Sequence, residues 1–95
     1  MSFLGRFRRN KQDPEVARRA LLLQSGRLGE ATILELNTDA DGNEILSYCY
    51  TIGGMDYETV QQLDAEQLRR KSYYLPGSRA DIRYDPHRPA NSVVV

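Results

Sequence analysis

Two adjacent glycines, Gly53 and Gly54, stand between two stretches of alternating side chains, and no other feature restricts this chain as strongly. A period of two marks a strand, and a two-residue loop able to take positive φ angles joins two strands into a hairpin with a type I′ turn. Asn43 to Ile52 sets Leu46, Tyr48, Tyr50 and Ile52 on one face and Ser47, Cys49 and Thr51 on the other; Met55 to Gln61 leaves the loop as the returning strand. The loop also fixes the register. Ile52 faces Met55, Tyr50 faces Tyr57 and Tyr48 faces Thr59 on the core side, where an aromatic pair adds cross-strand stabilisation.

The preceding strand starts at Glu30, with Thr32, Leu34 and Leu36 on one face and Ala31 and Ile33 on the other. A two-residue Asp41-Gly42 loop would bring Ile33 and Glu35 to the side of Tyr48, setting a carboxylate against the core. A three-residue loop, Ala40-Asp41-Gly42 with a left-handed Gly42, instead pairs Leu34 with Tyr48 and Leu36 with Leu46. Burying each leucine is worth about 1.5–3 kcal/mol, whereas an unpaired buried carboxylate is costly, so the bulged turn is expected.

Residues 1–12 read as a flexible basic arm, and residues 13–95 as one small domain that opens with a helix over 14–25. Asp13-Pro14-Glu15 supplies a cap, a first helical position with φ already fixed and an acid favoured by the helix dipole. Val16, Ala20 and Leu23 fall within one arc, with Ala17 and Leu21 beside it and Arg18 and Arg19 away from it, and the helix is expected to cap an open end of the barrel or lie on its outside. Gly26 is the expected left-handed stop. Downstream, Asp64 and Gln67 have capping-box spacing, with Leu63 placed to staple against Leu68, for a short helix running to about Lys71. Pro76-Gly77 suits a type II turn. Ala80, Ile82 and Tyr84 alternate as a fourth strand, which Asp85-Pro86 ends, and Ser92 to Val95 forms a fifth.

Five short strands expose too much of a flat sheet, so the expected fold is mainly β: a five-stranded antiparallel barrel or roll with an N-terminal helix and a short helix between strands 3 and 4. The alternative is an open α+β sheet with the helix packed on one face. At 95 residues there is material for one core.

Charge and residue counts remove several function classes. Residues 1–30 hold seven Lys and Arg against three acids; residues 31–68 hold eight acids and neither Lys nor Arg; the remainder holds six basic residues against two acids. A broad nucleic-acid binder needs cations to replace phosphate counterions, and the acidic centre would repel that backbone. The only cysteine, Cys49, forms no internal disulfide, and with the only histidine, His87, it leaves a zinc site short of ligands. The longest apolar run, Ala20 to Leu23, is far below the roughly 20 residues of a membrane span, and no signal-peptide core follows the N-terminal cations. A cytoplasmic location is expected, with attachment to the inner face of the membrane left open.

The run Tyr48-Cys49-Tyr50-Thr51-Ile52-Gly53-Gly54-Met55-Asp56-Tyr57, then Tyr74-Leu75-Pro76-Gly77, then Ile82-Arg83-Tyr84-Asp85-Pro86-His87-Arg88-Pro89 and a final apolar strand, resembles the domain-of-unknown-function 3592 family over about residues 26–95. The resemblance implies the fold and carries no catalytic residues or biochemical role. Many members of that family set the domain beside membrane-spanning helices, which this chain lacks.

Four constellations invite a functional reading. Asp39, Asp41 and Asn43 mimic the first oxygen ligands of a calcium loop, but the glycine comes at the fourth position and Tyr50 stands where the bidentate Glu belongs, so a solvated turn is expected. The six tyrosines could stack single-stranded bases, yet with no cation from 31 to 68 they read better as barrel filling. Cys49 faces Glu58 in the expected register, and a carboxylate opposes thiolate formation, so neither Cys49 nor the turn residue His87 reads as catalytic. Phe3, Leu4, Arg6, Phe7, Arg8, Arg9 and Lys11 combine apolar anchors with cations, suited to an anionic membrane surface or an acidic partner. No metal or cofactor is expected. The chain therefore reads as a non-enzymatic accessory or binding module acting through protein contact, self-association included. The alternatives are a peripheral membrane adaptor and, last, a nucleic-acid-binding barrel.

Overall fold

The computed structural model describes residues 13–95. In chain order these form α1 (Pro14–Ser25), β1 (Arg27–Thr38), β2 (Glu44–Ile52), β3 (Met55–Gln62), α2 (Ala65–Arg69), a 3-10 turn (Lys71–Tyr73), β4 (Arg79–Asp85) and β5 (Arg88–Val94). The five strands make one antiparallel sheet in the order β3-β2-β1-β4-β5, curled into a nearly closed barrel.

The glycine hairpin has the expected form: Gly53 and Gly54 take φ of 60° and 82°, and Tyr50 pairs with Tyr57 and Cys49 with Glu58. The Tyr50 ring stacks between those of Tyr48 (centroids 5.9 Å apart) and Tyr57 (5.4 Å). Tyr48, Tyr50, Tyr74 and Tyr84 are buried with Leu46, Ile82 and Val94 around them. Hydroxyls find partners as burial requires: Tyr48 and Ser92 share a hydrogen bond at 2.8 Å, and Tyr50 donates to the Pro89 carbonyl. Tyr84 lies across Gly29, where an added Cβ would stand 3.1 Å from the ring.

The first hairpin departs from expectation in an instructive way. Ala40-Asp41-Gly42 is the loop, with Gly42 at φ 85°, and Leu36 pairs with Leu46 as expected. Between Ile33 and Glu35, however, β1 contains a bulge, so Ile33 and not Leu34 faces Tyr48. One extra residue reverses the alternation. Ala31 and Ile33 therefore enter the core from one half of the strand and Leu36 packs against it from the other, while Glu35 stays outside and Leu34 becomes exposed. The bulge lets Ala31 and Ile33 enter the core at one half and Leu36 at the other without carrying Glu35 inward with Ile33.

Elsewhere the local chemistry is as the sequence suggests. Asp64 accepts from the Gln67 amide at 2.8 Å while the Gln67 side chain accepts from the Asp64 amide at 3.1 Å. Gly77, at φ 88°, completes the Leu75–Ser78 turn. Leu63 enters the core, but Leu68 stays largely exposed. Gly26 is not left-handed: its φ is −71°, and a Cβ there would stand 2.5 Å from the Leu22 carbonyl oxygen, so close approach explains the glycine.

The barrel closes between β3 and β5 without a backbone ladder across the seam. Gln61 on β3 accepts from the Val94 amide through Oε1 at 2.9 Å, and Gln67 donates to the Val94 carbonyl at 2.8 Å. All three residues are buried, and Gln61 also donates to the Gln67 Oε1 at 3.3 Å. Two side-chain amides thus do what a sixth strand would do. Replacing Gln61 by Ala leaves the Val94 N–H without its acceptor in a dry site, which is expected to lower stability by about 1–3 kcal/mol, read as a reduced urea midpoint at unchanged m value.

Candidate functional site

On the outside of that seam lies α1, with its arginines and not its apolar arc turned to the strands. Its start is as the sequence implies, with the Asp13 carboxylate accepting from the amides of Glu15 (3.0 Å) and Val16 (3.4 Å). Arg18 and Arg19 then turn toward the barrel. Arg18 donates to the Ser92 carbonyl at 2.7 Å and to Asn91 Oδ1 at 2.9 Å on β5, while Arg19 donates to the Gln62 carbonyl at 2.8 Å on β3. Each arginine thereby satisfies a carbonyl on a strand edge that lacks a neighbouring strand. Glu15 bridges the two guanidinium groups, and its bonds to Arg18 first, with Arg19 supporting, hold its carboxyl down to about 2.

Spending the cations on the seam leaves the apolar arc of α1 outside. Val16 is 60% exposed and Leu23 48%; only Leu22 of this helix is buried. Together with Ala20 they face Val60, itself 61% exposed on β3, across an open groove of about 700 Å³, and Ile45 and Leu63 form its floor. Asp13 and Asp64 stand at its margin. This groove is the candidate site, and the sequence did not reveal it. A signal was present: Glu15, Arg18 and Arg19 form an i, i+3, i+4 ionic set on one flank, and Val60 interrupts the polar outer face Asp56, Glu58, Gln62 of β3.

The other candidates occupy separate places. Cys49 is half-buried opposite Glu58 and lines an open hollow of about 890 Å³ at the point where β1 and β2 cease to pair, which Glu30, Asp56 and Arg79 share with the core-side Tyr50, Tyr57 and Tyr84. Arg79 is bound to Glu30 at 2.8 Å. His87 is exposed in the β4–β5 turn, where Asp85 holds its backbone amide at 2.8 Å, and it does not line that hollow. Asp39 uses its carboxylate on the turn's own amides, those of Asp41 and Asn43, both at 2.9 Å; these bonds, the Asn43 amide first, lower its pKa. Of the tyrosines, Tyr73 alone is highly exposed. Phe3, Leu4, Arg6, Phe7, Arg8, Arg9 and Lys11 lie outside the described residues. Among the described residues no helix is long and apolar enough to cross a membrane, and no group of three or more His, Cys, Asp or Glu is placed to hold a metal ion.

Comparison with known proteins gives one match. The family model for a domain of unknown function (DUF3592) covers residues 29–95, from β1 to the end of the chain. No curated protein and no solved structure matches.

The Glu15 bridge has a pH signature. A carboxyl held below its unfolded value contributes stability that is complete above the ordinary carboxylate range and is lost as pH falls from about 4.5 through about 2. Glu15 is half exposed, so screening limits the contribution to about 1 kcal/mol or less. In urea unfolding, Glu15→Gln should be less stable than the native chain at pH 6, with the gap narrowing below pH 4.5. A gap constant down to pH 2 contradicts the bridge.

Proposed function

Since the chain belongs to the DUF3592 family, whose description assigns no activity, we propose from its surface that it is a non-enzymatic binding module acting through protein contact, with the α1–β3 groove as its contact face. The carrying observation is the outward apolar face of α1: Val16, Ala20 and Leu23 facing Val60. A helix of this length draws most of its stability from burying such a face, yet here arginine–carbonyl bonds anchor it instead. Contiguous exposed apolar surface bordered by polar groups is the usual mark of a protein contact.

In-cell photo-crosslinking tests it. A photoreactive residue at Leu23 or Val60 should give discrete protein adducts in the native host, whereas the same residue at the highly exposed Arg69, away from the groove, should give few or none. Equal labelling at all three positions, or adducts formed with lipid alone, overturns the proposal.

A further inference from the structure

The groove runs beside an open strand edge. β3 is the last strand of the sheet, and its register with β2 is uninterrupted from Met55 to Gln62. Alternate residues of an antiparallel edge strand direct N–H and C=O away from their neighbour. Two bonds show which they are. The Leu63 amide donates to Glu44 at the end of β2, so odd-numbered residues face inward; the Gln62 carbonyl accepts from Arg19, so even-numbered residues face outward. Gln61 and Arg19 occupy only the far end of the seam. The outward backbone groups of Asp56, Glu58 and Val60 have no strand partner among the described residues.

Charge decides what fits this edge. Asp56 and Glu58 are exposed, and neither has an ion-pair partner among the described residues; Asp13 and Asp64 add negative charge at the groove. A second copy adding through its own β3 would set like carboxylates against one another, which disfavours that pairing. We propose that the free edge of β3, from Asp56 to Val60, accepts an extended cationic segment of a partner protein as an added strand. Lys or Arg of that segment would meet Asp56 and Glu58 on the outer face of the sheet, and an apolar side chain further along that same face would reach Val60, Val16 and Leu23. This is strand addition, in which the backbone gives affinity and the side chains give choice. It rests on the contact reading above and specifies the partner's chemistry and mode of docking.

The test uses the full chain and a ten-residue peptide that places Arg, Arg and Val in succession on one face of a strand and Ser on the other, with a Glu-for-Arg version as control. On adding the Arg peptide, the Glu58 and Val60 amides should exchange at least tenfold more slowly, and the Glu peptide should have no such effect. Val60→Pro removes one outward donor and no bond to β2, so it should abolish the protection while keeping the native urea midpoint to within a small shift. Should that variant unfold, Asp56→Lys with Glu58→Lys leaves the backbone intact and should transfer the preference to the Glu peptide. Unchanged exchange at Glu58 and Val60, or a preference that survives charge reversal, overturns strand addition. If Leu23 still yields protein crosslinks in that case, the contact reading stands and only the strand-addition mode falls.

Discussion

Closure of the barrel depends on two glutamine side chains. Five short strands bring β3 alongside β5 without a backbone ladder between them, and the Val94 N–H and C=O would be left facing a dry interior. A buried unsatisfied amide group is costly, so the sheet either opens to water or finds side-chain partners. Gln61 and Gln67 supply them, one accepting and one donating, as a neighbouring strand would. Gln67 can do so because the Asp64 capping box already fixes it, its Oε1 holding the Asp64 amide while its Nε2 reaches Val94. A local helix-start motif is thereby part of the global closure.

The same open seam explains the orientation of α1. Outside Gln61 and Val94, the carbonyls of Gln62 and Ser92 are the next unpaired acceptors, and Arg19 and Arg18 take them. Glu15 holds both guanidinium groups and limits the entropy lost in ordering them. Once the cationic flank is committed inward, the apolar flank must face out, and the groove beside Val60 follows. The exposed surface on which the functional proposal stands is thus a consequence of how the barrel is completed.

Much of the architecture could be read from neighbouring residues. Gly53-Gly54 set the β2–β3 register, Asp13-Pro14-Glu15 set the start of α1, Asp64 and Gln67 set α2, and Gly42 set the first turn, because each acts over a few bonds. What escaped was decided by distant partners. The bulge at Leu34 lets the half of β1 that pairs with β4 turn Ala31 and Ile33 inward, where a register uniform with Leu36 would turn in Thr32 and Glu30 instead. Periodicity gave the apolar arc of α1 but not its direction, since the carbonyls that attract Arg18 and Arg19 lie more than 40 residues away. Gln61 and Gln67 looked like ordinary polar positions for the same reason. The candidate groove combines α1 with β3, so it was invisible until that direction was known.

Native-state hydrogen exchange at the Val94 amide tests the closure most directly. If Gln61 seals the seam, this amide exchanges only through global unfolding, as slowly as the β2 amides of Tyr48 and Tyr50, although its acceptor is a side chain. Rapid exchange at Val94 while those amides remain protected would show a seam that opens on its own and would contradict the account.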